Sequence, residues 1–174
     1  MRSAFFGAAL LAFSFMPSPA QAANPLARQM LQVARRAGVT YSIADQCGRS
    51  GNALATFTPS TRHMCMTRRV MSRDKDLAFE VLTHEMVHAA QACLNEDSVL
   101  LTAVRRGVIT MASAKRILNT RIDDQDNRQH VERVVAMSRT RSRALHEAEA
   151  YALQRSPKTV LALLASSCNQ TIPA

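Results

Sequence analysis

The apolar positions of this chain form helical stripes, interrupted once by β-like alternation. The densest run is 77–93, LAFEVLTHEMVHAAQAC. There Leu77, Ala78, Phe79, Val81, Leu82, Met86, Val87, Ala89, Ala90 and Ala92 fall on nearly every side of a 3.6-residue helix. A helix apolar almost all round belongs in a core. Before it, Asn24 and Pro25 predict a helix start, with Asn as N-cap and Pro in the first turn. Leu26, Met30, Val33, Ala34 and Ala37 form that helix's stripe, and Gly38 ends it. Residues 39–43 alternate as a strand does, and 44–52, with Cys47, Gly48 and Gly51, read as a loop. Residues 53–57 and 63–67 read as two strands joined around Thr58-Pro59-Ser60-Thr61, a turn-forming tetrad. A basic linker, 68–75, follows, and Asp74 or Asp76 is expected to cap the central helix.

The pattern beyond Cys93 stays helical. Asp97 and Ser98 are expected to cap a helix over 99–106, stopped by Gly107, and a further helix is expected over 109–120. Asp123-Asp124-Gln125-Asp126 reads as an acidic turn capping a segment whose apolar face includes Val131, Val134, Val135 and Ala136. Residues 138–143 read as a kink or exposed turn and 144–154 as a helix. Ser156 and Pro157 are read as capping and starting a last helix that ends near Ser167. The expected fold class is α+β, mainly helical, with a short antiparallel hairpin before the central helix.

The first residues, MRSAFFGAALLAFSFMPSPAQA, have a basic start at Arg2, an apolar run over 4–16, and breaks at Pro17 and Pro19. Ala20-Gln21-Ala22 fits a small-x-small cleavage site. Residues 1–22 are therefore expected to be a signal peptide, leaving 23–174 as a single domain with no membrane span in the mature chain. Cys47, Cys65, Cys93 and Cys168 all lie in that domain. An even count in an exported chain predicts two disulfides. Of the three pairings, Cys47–Cys65 and Cys93–Cys168 are expected, the first closing a local loop and the second tying the C-terminal segment to the central helix. The expected location is periplasmic or secreted. The formal net charge of +9 favours an anionic envelope component as a partner. With no Trp, few aromatic residues and no nucleic-acid fingerprint, no specific nucleic-acid partner is expected.

Into the apolar central helix the sequence sets His84, Glu85 and His88. Polar groups buried there cost stability unless something satisfies them. Four residues apart, the two imidazoles lie on one face. This is the H-E-x-x-H arrangement, in which two His hold Zn²⁺ and the Glu takes a proton from water on the metal. The plainer reading is a pair of core histidines bonded to backbone. A catalytic zinc has three protein ligands and an open position. The pattern H-E-x-x-H-x-x-G-x-x-H is excluded, because Gln91 and Leu94 stand where its Gly and last His belong. The other large class takes a Glu from a downstream helix. The Ala-rich segment 145–152 is the expected supplier, through Glu147 or Glu149. These two point about 200° apart, so only one can reach the metal. His130 and His146 are lesser ligand candidates.

These residues resemble the glutamate zincins (gluzincin-type metallopeptidases), which often carry E-x-x-A after the H-E-x-x-H helix. Glu147-Ala148-Glu149-Ala150 matches with Glu147 first, while Tyr151 stands where Asp or Asn is usual. A Cys-bearing strand, then Thr83-His84-Glu85, His88-Ala89, a nearby Cys93 and the later E-x-x-A is a layout similar to that of mitochondrial ATP-synthase-processing peptidases. The long basic insert departs from it. The resemblance implies a small zincin-like domain, Zn as cofactor held by His84, His88 and Glu147, and Glu85 as general base. It implies hydrolysis of a peptide bond in a peptide or protein substrate. Tyr151, His146 and His130 are candidate oxyanion stabilisers. In such peptidases a strand beside the helix commonly edges the cleft and pairs with extended substrate, and 63–67 is the candidate. The rival reading is a non-enzymatic, basic envelope-binding or interaction protein with a structural zinc site.

Overall fold

A computed structural model describes residues 24–48, 53–95, 97–122 and 141–173. The expected signal peptide, the acidic turn at 123–126, His130 and the apolar face beginning at Val131 lie outside the described residues. Helix α1 (Pro25–Arg36) starts as the sequence predicts. The Asn24 side chain accepts from the backbone N–H groups of Leu26 and Ala27, and Pro25 occupies the first turn. Its buried stripe includes Met30, Val33 and Ala34 but also Ala27 and Leu31. Gly38 follows at φ 81°, a left-handed conformation that suits glycine.

Strands β1 (Thr40–Ala44), β2 (Ala55–Thr58) and β3 (His63–Thr67) form one sheet in the order β1-β3-β2. β2 and β3 are the expected antiparallel hairpin, with Phe57 opposite Met64, whereas β1 pairs with β3 in parallel, making the sheet mixed. This order corrects the expectation that 63–67 edges a cleft. β3 is the central strand, hydrogen-bonded on both sides, and has no free edge on which an extended peptide could pair. The basic stretch expected as a linker is largely a short helix, α2 (Arg68–Arg73), because the Thr67 hydroxyl caps it by accepting from Val70 N–H.

Helix α3 (Lys75–Cys93) is the central helix, with the Asp74 carboxylate capping it through Asp76 and Leu77 N–H groups. It packs against α6 (Arg141–Leu153), α7 (Pro157–Ser167), α1 and β2, which is why nearly all its faces are apolar. Its own Leu82, Met86 and Val87 are fully buried, as are Leu153 of α6 and Leu163 and Leu164 of α7. Helix α4 (Val99–Arg105) is capped by Ser98 and followed by Gly107 at φ 70°. Helix α5 (Met111–Ile122) begins two residues later than predicted. Ser156 precedes α7 but makes no side-chain capping bond, so Pro157 alone marks that start. The first residues of the expected 138–143 turn that are described, from Arg141, already belong to α6.

The disulfides are Cys47–Cys65 and Cys93–Cys168, as expected. The second joins the end of α3 to the residue after α7. Two disulfides with no free thiol among the described residues fit an oxidising compartment, periplasmic or extracellular. Among the described residues no helix is long and apolar enough to cross a membrane. The described fold is α+β and mainly helical, with its small sheet ahead of the His84-bearing helix.

Candidate metal centre

Helix geometry puts His84 and His88 one turn apart on α3, and the Ala-rich face of α6 lets that helix approach closely. Glu147 on α6 completes the cluster. Its carboxylate Oε2 lies 3.6 Å from Nε2 of His84 and 3.6 Å from Nε2 of His88, and the two Nε2 atoms are 3.2 Å apart. A metal with bonds of about 2.0–2.1 Å at tetrahedral angles spaces its ligand atoms about 3.3–3.4 Å apart. The three sides of the donor triangle fall within about 0.3 Å of that spacing. The cluster can therefore hold a metal ion, and two imidazoles with one carboxylate are a zinc-type donor set. The side chains are 12%, 15% and 23% exposed, so solvent reaches the cluster.

The electrostatics agree with converging donors. Burial works against charge on Glu147, but the hydrogen-bonding His84 and His88 rings outweigh it and hold the carboxyl well below the usual carboxylate range. Burial disfavours the charged His88 ring, yet Glu147, then Glu85, push its pKa above the ordinary imidazole value. A dication in the same place supplies the positive charge that a protonated ring otherwise provides.

Glu85 faces a different environment. It is 6% exposed, and its Oε2 is buried with no hydrogen-bond partner. Burial pushes its carboxyl upward, opposed by the His84 and His88 rings and reinforced by Glu147. A polar oxygen orphaned beside a donor cluster is a feature that ordinary core packing removes. Tyr151, one turn beyond Glu147, meets the His84 ring edge-on with centroids 4.6 Å apart. Burial, then Glu147 and Glu85, push its hydroxyl up to about 12, so it stays a proton donor at neutral pH.

Glu149, the alternative third ligand, turns the other way into the core. It accepts from Ser98 Oγ at 2.7 Å, Leu100 N–H at 2.8 Å, Gln91 Nε2 at 2.9 Å and Val99 N–H at 3.0 Å. His63 is remote from the cluster, set between Thr40 Oγ1 and Ser42 Oγ. His146 is not among the clustered donors, and its backbone carbonyl accepts from Gln91.

Three participants were not read from the sequence. His84 Nδ1 lies 3.1 Å from Gln154 Oε1, and Gln154 Nε2 donates to Glu80 at 2.7 Å. His88 Nδ1 lies 2.8 Å from Gln91 Oε1. Gln91 carried a signal, being an amide on an otherwise apolar helix three residues after a histidine. Gln154 and Glu80 carried none. Among the cavities, one of about 330 Å³ lies by the N-terminal half of α3, lined by Met66, Met71, Phe79 and Leu82 with Asn24, Lys75 and Asp76 on its walls. None of the clustered residues lines it, so it is a separate feature.

No family model, curated protein or solved structure matches the chain. On the geometry of the site, His84, His88 and Glu147 are consistent with a zincin-like metal-binding triad.

Proposed function

We propose that this chain is an exported zinc-dependent metallopeptidase whose domain spans 23–174 after removal of 1–22. His84, His88 and Glu147 are the metal ligands and Glu85 is the general base. The observation that carries the reading is the convergence of three zinc-type donors within 4.8 Å of one another beside a buried carboxylate whose Oε2 has no partner.

Zn²⁺ held by His84, His88 and Glu147 would supply Lewis acidity toward water and a substrate carbonyl. Glu85 would take the proton of the attacking water. Once protonated, Glu85 would pass that proton to the leaving amine. Tyr151, protonated at neutral pH and edge-on to His84, is our candidate donor to steady negative charge developing on the substrate oxygen. The substrate is a peptide or protein. The basic chain favours one with acidic character or an anionic envelope setting.

The test combines metal analysis of the purified protein with a chelator-sensitive peptidase assay. One equivalent of zinc is expected, with activity lost to chelator and restored by Zn²⁺. Glu85→Gln should keep the zinc and abolish turnover. An inactive but stoichiometrically zinc-loaded wild type would favour the structural-site reading instead.

A further inference from the structure

Each histidine of the cluster is backed by a glutamine, and each glutamine is held by a glutamate. On one side the order is His84, Gln154, Glu80; on the other it is His88, Gln91, Glu149. An amide can normally turn either end toward its neighbour. Here it cannot. The Gln91 NH₂ donates to the His146 carbonyl at 3.1 Å and to Glu149 Oε2 at 2.9 Å. Reversing the amide would set its oxygen against two acceptors. The Gln154 NH₂ is likewise fixed by Glu80, whose Oε1 also accepts from Arg155 Nε at 2.9 Å. With both amide nitrogens committed, both Oε1 atoms face imidazole Nδ1. A carbonyl oxygen only accepts, so Nδ1 must carry the proton on both rings.

We infer that Gln91 and Gln154 are positioning residues that lock His88 and His84 as Nδ1–H tautomers, so that both Nε2 lone pairs converge at 3.2 Å on the point Glu147 also faces. This rests on the metal-centre reading for its purpose, though not for its geometry. The ring nitrogen turned toward a metal is set by the hydrogen bond the other nitrogen makes. An amide sets the tautomer without being able to remove the ring proton, so the histidines remain neutral ligands. The two supports differ in depth. Gln91 is 3% exposed, and its anchor Glu149 is pinned by the first turn of α4. The Glu80 anchor is partly exposed and shared with Arg155. His88 orientation is thereby tied to residues 98–100, far from the H-E-x-x-H motif in the chain.

The experiment is ¹⁵N-labelled histidine NMR on the metal-free, disulfide-intact chain, at a pH above both ring titrations, together with Zn²⁺ affinity measured against a chromophoric chelator. In the wild type both rings should give the Nδ1–H pattern. Gln91→Met keeps side-chain volume but removes the acceptor. It should release His88 into a tautomer mixture, leave His84 unchanged and weaken Zn²⁺ by about 10–100-fold. Gln154→Met should do the converse. General loosening of the fold would disturb both rings in either variant, so this crossed pattern separates positioning from structural support. An Nε2–H ring in the wild type, or unchanged tautomers in both variants, would overturn the inference. Because the wild-type spectrum alone decides the tautomers, a variant that fails to fold does not remove the test. Correct tautomers with no Zn²⁺ binding would sink the metal reading and leave the locking intact.

Discussion

Replacing Glu85 should make the metal-free protein more stable while ending its activity. Glu85 is 6% exposed on a helix packed among Met86, Val87 and Leu82, and its Oε2 has no partner. Leaving a buried acceptor unsatisfied costs about 1–3 kcal/mol, and more when the group is charged. Glu85→Gln removes the charge but keeps a polar end; Glu85→Leu removes both at similar volume. The expected order of metal-free stability is therefore wild type, then Gln, then Leu. A gain of about 1–3 kcal/mol, divided by a urea slope of about 1–3 kcal/mol per M, raises the unfolding midpoint by roughly 1 M.

The assay is urea unfolding at neutral pH with chelator present and disulfides intact, followed by far-UV circular dichroism. It must be run without metal, because a dication beside Glu85 would add positive charge beyond that of the His84 and His88 rings. If Glu85→Gln unfolds at lower urea than wild type, Glu85 is satisfied in the native state. Its burial would then not be a strain kept for chemistry, and the orphaned oxygen would no longer point to a catalytic role.

Glu147→Ala should leave the far-UV spectrum unchanged and weaken Zn²⁺ by more than the ~10–100-fold that loss of an outer hydrogen bond costs, measured by chelator competition. Equal zinc affinity in the variant would remove Glu147 from the ligand set. Opening Cys93–Cys168, which are 75 residues apart, should destabilise by about 4.5 kcal/mol from loop entropy, against about 3.2 kcal/mol for Cys47–Cys65 at separation 18. Denaturation of the two double Cys→Ala variants checks the order. In chelator, the His88–Glu147 contact should give a pH window of stability. The raised His88 value makes its contribution full below about 6.5 and lost as pH rises through the folded value. The lowered Glu147 value makes its contribution present above about 4.5 and lost as pH falls through the folded value. Thermal midpoints of wild type and Glu147→Gln across pH should converge outside that window.

Local signals were legible because they act within a few residues. Asn24, Asp74 and Ser98 cap where they were expected to, and the apolar run at 77–93 became the buried helix. Strand order was not legible in the same way. Periodicity identifies 63–67 as a strand, but which neighbours it takes depends on how β1 returns across the sheet. Here β1 pairs in parallel with β3 and leaves β2 at the other edge. Arg68–Arg73 was misread because its charge suggested a solvated linker. One hydroxyl, that of Thr67, suffices to start a helix there.

The choice between Glu147 and Glu149 depends on the phase of α6, and phase is set by packing. At about 100° per residue, Ala150, Ala152 and Leu153 define a buried arc with Glu149 near its centre, and Glu147 lies well outside it, beside Tyr151 and Gln154. A glutamate at the middle of a buried arc needs donors on every side, and Glu149 has four. A metal ligand needs the opposite: an acceptor left free toward an opening. The helix phase that buries Glu149 therefore turns Glu147, on the other side of α6, toward His84 and His88. The two carboxylates act on one site from different distances, Glu147 facing both rings and Glu149 through Gln91. An E-x-x-A pattern on an Ala-rich helix thus carries more information than its first glutamate. The acid two positions later is fixed by the same packing that turns Glu147 toward the two imidazoles.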